Sequence, residues 1–140
     1  MIRRAIIRDL VAIRGLPVQL GVAATDRLDS KRFAALLGSP DQAALVYIRG
    51  DYAAGFLAMR FFPDHAVPGN FAIISYFAVE RPGRDWQEAG ALEDHAVDIA
   101  RGCRSAFLLS KGNTKSPEIT RFLLGRGYAQ RDNHFIKSIS

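Results

Sequence analysis

Two arginines, Arg81 and Arg84, stand between an apolar run that ends at Val79 and an amphipathic stretch that begins at Trp86. That arrangement suits anion binding. A helix that starts just past the end of a strand leaves its first backbone N–H groups unpaired and carries partial positive charge there. A phosphate at that point is held by both effects, and Arg81 and Arg84 would add charge at the mouth. Alone the pattern is weak, because a strand, an arginine-bearing loop and a helix recur in many folds.

Other chemistries lack their residues. No phosphate loop ends in Gly-Lys-Ser/Thr, no Gly-x-Ser-x-Gly elbow occurs, and no cysteine pair could hold zinc. His65, His95 and His134 are not spaced as metal ligands and read as surface or half-buried histidines. Cys103, just past a helix end, reads as a small packing residue rather than a nucleophile. Arg49-Gly50-Asp51 reads as a hairpin turn.

The elements that would position the arginines follow from periodicity and punctuation. Residues 2–7 form a short apolar run and read as a strand. Asp9 opens a helical stretch with Leu10, Val11, Ile13 and Leu16, stopped by Gly15 and Pro17. Ser30 to Leu37 fits a second helix, capped by Asp29 or Ser30 and ended by Gly38. Ala43 to Arg49 and Tyr52 to Phe62 read as strands around the hairpin signal Gly50-Asp51. Gly55 marks a bulge or a close backbone approach. Asn70 to Val79 is apolar on both faces, as in a central strand.

A helix is expected from Trp86 to Arg101. Trp86, Ala89, Leu92, Ala96, Ile99 and Ala100 form its stripe; Glu88, Glu93, Asp94 and Asp98 lie mostly away from it; Gly102 ends it. Ala106 to Leu109 is a short buried strand. Ser116-Pro117-Glu118 reads as an N-cap, a proline at the first helical position and an acid in the first turn, of a helix ending at Gly125. Tyr128 to Ile139 is a hairpin turning near Asp132-Asn133. Hairpins followed by strand–helix–strand units predict an α/β (α+β) fold with a mixed, mostly antiparallel sheet flanked by helices.

Size and charge narrow the setting. With 140 residues, 49% hydrophobic and 24% charged, the chain suits a single domain with one sizeable core. One cysteine excludes an internal disulfide. Arg8, Asp9 and Arg14 interrupt any signal-like apolar stretch, and no run reaches the roughly 20 apolar residues of a membrane span. A cytoplasmic location and no membrane partner are expected. The net charge of +5 favours anionic partners, but the arginines are scattered, as on a solvated basic surface. A nucleic-acid-binding domain would need aromatics such as Tyr47, Tyr52 and Phe56 on one exposed face. These fit a core better, so nucleic acid is not the expected partner.

The element order, and the stretch from about Gly55 to Ile139, resembles the GCN5-related N-acetyltransferase (GNAT) superfamily. There the central strand ends in a Val-x-x-Pro-like step, followed by an Arg/Gln-x-x-Gly-x-Gly/Ala loop around the coenzyme A pyrophosphate. This chain has Val79-Glu80-Arg81-Pro82, then Arg84-Asp85-Trp86-Gln87-Glu88-Ala89. Further on it has Phe107-Leu108-Leu109-Ser110, a polar loop, and Phe122-Leu123-Leu124-Gly125-Arg126-Gly127-Tyr128, similar to the superfamily's Phe-Tyr-x-x-x-Gly-Phe.

The resemblance implies an N-acyltransferase that takes acetyl-CoA, or another acyl-CoA, and passes the acyl group directly to a small-molecule or peptide amine. Backbone groups of Phe77, Ala78 and Val79 would bind the pantetheine arm, in a cleft between the central strand and the next. Arg81, Arg84, Asp85, Trp86, Gln87, Glu88 and Ala89 would surround the pyrophosphate, with Ser116 a further cofactor contact. Residues around 17–30 and 63–70 would form the acceptor surface, and two copies would pair through an exposed edge. The chain departs from the pattern twice. Gln87 replaces the middle loop glycine, and Leu123 stands where many members carry the tyrosine that protonates the leaving thiolate; leucine is no acid. No clear carboxylate base lies on the central strand, where Ile73 and Ser75 hold the middle, which leaves Tyr76, Ser110 or water to move the proton. A domain that binds coenzyme A without turnover is therefore the first alternative, and a basic nucleic-acid binder the second.

Overall fold

Residues 1–62, 70–83 and 86–140 are described by a computed structural model of the chain. Their strands are β1 (Ile2–Arg4), β2 (Val18–Gln19), β3 (Gln42–Arg49), β4 (Tyr52–Phe62), β5 (Asn70–Val79), β6 (Ser105–Ser110), β7 (Ala129–Arg131) and β8 (His134–Ser138). The helices are α1 (Leu10–Arg14), α2 (Ser30–Gly38), α3 (Gln87–Gly102) and α4 (Pro117–Gly125). One sheet runs β1-β3-β4-β5-β6-β8-β7, with β2 on β5. Every pairing is antiparallel except β5 with β6. The expected mixed, mostly antiparallel sheet is thus the observed one.

Both faces of the sheet are covered, so the middle strands are apolar on both sides. On one face Leu10, Ile13, Phe33 and Leu36 pack on Val46, Phe56 and Ala78. On the other, Leu92, Ala96, Ile119, Phe122 and Leu123 pack on Leu57, Met59, Phe77, Val79 and Phe135. Gly55 lets α3 approach the sheet: a Cβ there would stand 2.9 Å from Leu92 Cδ1. The β3–β4 register shift lies beside it, between Tyr47 and Ile48. Tyr47 and Phe56 belong to opposite faces and Tyr52 is exposed, so the three aromatics share no surface.

Several local expectations are corrected. The first strand ends at Arg4, and residues 7–9 make a 3-10 turn because Asp9 is drawn inward. The buried Asp9 carboxylate accepts two bonds from Arg3, at 2.8 and 3.0 Å, and one from the Ile6 N–H at 2.8 Å. Gly102 does not take a left-handed conformation; Arg104 does, with φ 63°. Cys103 is exposed rather than packed.

Glu88 and Glu93 are the largest departure. Both are buried, against the polar face expected of them. Glu93 lies under the C-terminal hairpin and accepts from Arg126 Nε at 2.9 Å, Tyr128 Oη at 3.0 Å and Lys137 Nζ at 3.0 Å. Burial, then the neighbouring Glu93 charge, push the Tyr128 phenol well above its usual range. Arg126 also donates to the Gly90 carbonyl at 3.2 Å and pairs with Asp94.

Glu93→Ala should cost about 3 kcal/mol in urea unfolding, because it leaves two cationic groups without their shared buried acceptor; a loss under 1 kcal/mol would contradict the network. Asp9→Asn should cost about 1–2 kcal/mol at pH 7. Burial opposes the Asp9 charge, but Arg3 and the Ile6 N–H outweigh it and lower the pKa. A lowered carboxyl pKa stabilises the fold above the unfolded-state value and ceases to do so as pH falls through the folded one. The gap between Asp9→Asn and the parent should therefore close in acid and stay constant above the carboxylate range.

Candidate functional site

β5 decides where a site can form. Along one edge it pairs with β4 from Phe62↔Phe71 to Gly55↔Val79. The register shifts between Ala58 and Met59, whose partners are Tyr76 and Ile74, so Ser75 is bulged out of the ladder. The Ser75 hydroxyl donates to the Ala58 carbonyl at 3.2 Å. A bulge bends its strand and increases the local twist. Along its other edge β5 pairs with β6 only from Asn70↔Ser105 to Ile74↔Ser110, stopping where the bulge begins. Beyond that point the two parallel strands no longer pair, and residues 18–22 lie across the opening between them.

Phe77, Ala78 and Val79 lie on the β5 side of this opening, all fully buried. Their outer edge is paired within the chain. β2 sets Val18 opposite Val79 and Gln19 opposite Ala78. The N–H groups of Leu20 and Gly21 both donate to the Phe77 carbonyl, at 2.8 and 3.2 Å. The short strand falls within 17–30, which the sequence leaves as loop. Residues 63–69 of the second acceptor loop lie outside the described residues. Ser110 is buried at the mouth of the opening, between Ile74 and Phe135. Tyr76 is half-buried on the α1/α2 face, its ring 6.4 Å from that of Phe56. Of the two candidate proton carriers, Ser110 thus ends the β5–β6 ladder, whereas Tyr76 is a packing residue on the α1/α2 face.

The loop after β5 leads to α3. Arg81 is exposed, and Gly83 turns the chain with φ +65°. Arg84 and Asp85 lie outside the described residues. Trp86 precedes α3 in a left-handed conformation, φ 54° and ψ 42°, with its ring 5.5 Å from that of Phe122. Gln87, Glu88 and Ala89 form the first turn, whose N–H groups have no partner within the helix. Gln87 is exposed and Ala89 buried. The Glu88 carboxylate pairs with Arg49 through Oε1, while its Oε2 is buried without a hydrogen bond among the described residues. Arg49 also reaches Glu80 at 3.6 Å, and Glu80 accepts from Tyr52 Oη at 2.9 Å. That bond, followed by a small desolvation and the Glu80 charge, raises the Tyr52 pKa. Ser116 caps α4, its Oγ accepting from the Ile119 N–H at 3.3 Å.

Between the start of α3 and α4 lies a cavity of about 450 Å³ bounded by Gly83, Trp86, Glu118, Arg121, Phe122 and Arg126. Arg121 is exposed on its wall and makes no ion pair among the described residues, whereas Arg126 is held by Glu93 and Asp94. Sequence reasoning missed Arg121, because its place on the cavity wall depends on the packing of α4 beside α3. Leu123 is fully buried: a Cβ on Gly112 would stand 2.7 Å from its Cδ1. No group of three or more metal-ligating side chains occurs among the described residues. Nor, among them, is any helix long and apolar enough to cross a membrane.

No protein-family model matches the sequence, and no curated protein matches it. The fold, by contrast, is shared with solved structures along nearly the whole chain. PaiA N-acetyltransferase from Thermoplasma acidophilum, in complex with coenzyme A, gives a TM-score of 0.78 at 12% identity, over 99% of this chain and 98% of its own. The ribosomal-protein-S18-alanine N-acetyltransferase from Escherichia coli gives 0.75 at 15%, over 100% and 94%. A transcriptional regulator from Bacillus halodurans C-125 gives 0.78 at 16%, over 92% of each chain. This chain therefore has the fold of the GNAT superfamily, as the two sequence motifs implied.

The Arg49–Glu88 pair ties the β3–β4 hairpin to the start of α3. Arg49→Met should cost about 2–3 kcal/mol, because Glu88 keeps a buried charge without its cation. Adding Glu88→Gln should recover at least half. A neutral Arg49→Met in chemical denaturation would mean that the pair holds nothing.

Proposed function

We propose that this chain transfers an acyl group from an acyl-coenzyme A thioester to an amine at the opening between β5 and β6. The observation that carries the reading is the end of pairing between two parallel strands at the Ser75 bulge, in a fold that includes solved N-acetyltransferases. Pyrophosphate would meet the first turn of α3, Arg81 and Arg84, with Arg121 on the adjoining cavity wall. The pantetheine amides would pair with the edge of Phe77–Val79. The donor supplies an activated carbonyl. The chain's task is to hold an amine against it, and positioning alone supplies several kcal/mol of the barrier (about 7–11 in the best intramolecular cases).

The acceptor class follows from what β5 lacks. With Ile73 and Ser75 at its middle, no carboxylate there would deprotonate an ammonium group. An α-amino group, with a usual pKa near 7.7–8.0, is partly neutral at pH 7; a lysine amine near 10.4 is not. A peptide terminus or a small amine of similar basicity fits best. As the amine nitrogen bonds to the carbonyl carbon, the C–S bond breaks, the thiolate leaves, and the amine proton passes to water, directly or by way of Tyr76 or Ser110. Leu123 favours a second reading, in which coenzyme binding survives without turnover.

Acetyl-CoA at about 100 times its dissociation constant should stabilise the protein by about 2.7 kcal/mol, read as a rise in Tm. Arg121→Glu should abolish most of that rise while leaving the ligand-free Tm within about 2 °C, as a surface change should. Release of free thiol with an α-amine acceptor identifies the transferase; a Tm rise without thiol release identifies the binder. No rise at millimolar acetyl-CoA sinks both.

A further inference from the structure

We infer that Val18–Gly21 is an autoinhibitory strap: it occupies the edge of β5 that an acyl-CoA pantetheine arm needs, and must detach for the donor to enter. This rests on the acyl-CoA reading above. The strap is tied to both sides of the opening. On the β5 side, Leu20 and Gly21 donate to the Phe77 carbonyl, and Val18 and Gln19 stand opposite Val79 and Ala78. On the β6 side, Val22 donates to the Lys111 carbonyl at 3.0 Å, Asn113 donates to the Leu20 carbonyl at 3.0 Å, and Gly21 bridges Gly112. Leu20, bonded through its backbone to both sides, has 1% of its surface exposed. A linear ligand carrying amides would need these same backbone partners, so strap and ligand exclude one another.

The strap is held well enough to persist and weakly enough to leave. Its regular pairing is two residues long. Its chief side-chain anchor is Gln19, whose Nε2 donates to the Leu16 carbonyl and to Thr25 Oγ1, both at 2.8 Å. Gln19 Oε1 accepts from the Thr25 N–H at 3.2 Å, and Thr25 is fully buried. The segment emerges from Gly15 and Pro17, and just beyond its end Val22 is 68% exposed. Apparent affinity falls by the fraction of molecules that are open, so a strap detached in about one molecule in a hundred weakens donor binding about a hundredfold.

The test locks the strap. Gln19 and Ala78 are directly opposed in an antiparallel pair, where Cβ atoms lie roughly 4.5–5.5 Å apart, near disulfide reach. Gln19→Cys and Ala78→Cys, with Cys103→Ser to remove the exposed thiol, give a protein that is compared oxidised and reduced by titration with acetyl-CoA. Binding only in the reduced form is the expected result. Equal binding in both overturns the strap and leaves the acyl-CoA reading standing. If the unmodified chain does not bind either, the acyl-CoA reading itself has failed and the strap falls with it. Amide exchange on the unmodified chain is an independent check, should the double variant fold poorly. Saturating acetyl-CoA should accelerate exchange at Leu20 and Gly21, and slower or unchanged exchange there overturns the proposal. Gln19→Ala, which removes the three side-chain bonds of the anchor, should tighten acetyl-CoA binding by about tenfold or more by raising the open fraction; unchanged or weaker binding counts against it.

Discussion

Most of this structure answers one constraint: a buried strand cannot leave its backbone groups unpaired. β5 is central, and its bulge at Ser75 ends the pairing with β6 at Ile74↔Ser110. The outer edge of Phe77–Val79 is then buried and needs partners. The chain provides them from Val18 to Gly21, and the route of the preceding segment follows from that need. α1 stops at Arg14, Gly15 and Pro17 turn the chain, and Gln19 fastens it to Leu16 and Thr25. The opening between β5 and β6 is thus one feature with two possible fillings, and the fold satisfies its backbone with the internal one.

Charge fixes the other side of the opening. α3 carries two buried carboxylates, one tied to each flanking hairpin. Glu88 pairs with Arg49 at the β3–β4 turn, and Glu93 collects Arg126, Tyr128 and Lys137 from the C-terminal end. Buried ion pairs add little net stability once desolvation is counted. Their effect is positional: with the β3–β4 hairpin and the C-terminal segment both tied to one helix, the first turn of α3 has a defined place beside the loop that follows β5. An anion-binding turn depends on that placement, because its field falls off within a single turn.

The long elements were legible in the sequence because their signals are local. Tyr52–Phe62 and Asn70–Val79 have the bounds expected from their apolar runs, and Ser116-Pro117 marks the start of α4. What escaped was set by distant residues. β2 has only two residues and no pattern of its own; it is a strand because β5 has a vacant edge. Glu88 and Glu93 read as surface acids from helical spacing, and they are buried only because Arg49, Arg126, Tyr128 and Lys137 converge on them. Near the candidate site, the apolar run ending at Val79 was readable. Arg121 was not, since only the packing of α4 beside α3 brings it to the cavity wall.

Leu123 stands where the resemblance to the GNAT superfamily implies a tyrosine, and it is fully buried. Leu123, Gly112 and Gly21 stack at one corner of the opening: Gly112 has no room for a Cβ because Leu123 and Phe135 lie against it, and Gly21 bridges Gly112 from the strap. An aliphatic residue there and an internal strand across it are therefore compatible features of one closed surface. On the acyl-transfer reading proposed above, the lack of an acid at 123 would matter less for a thioester than for most acyl donors, because a thiol with a usual pKa near 8.5 leaves as a stable anion near neutral pH. On that reading the harder proton is the one on the attacking amine, so acceptor basicity, more than residue 123, would govern turnover.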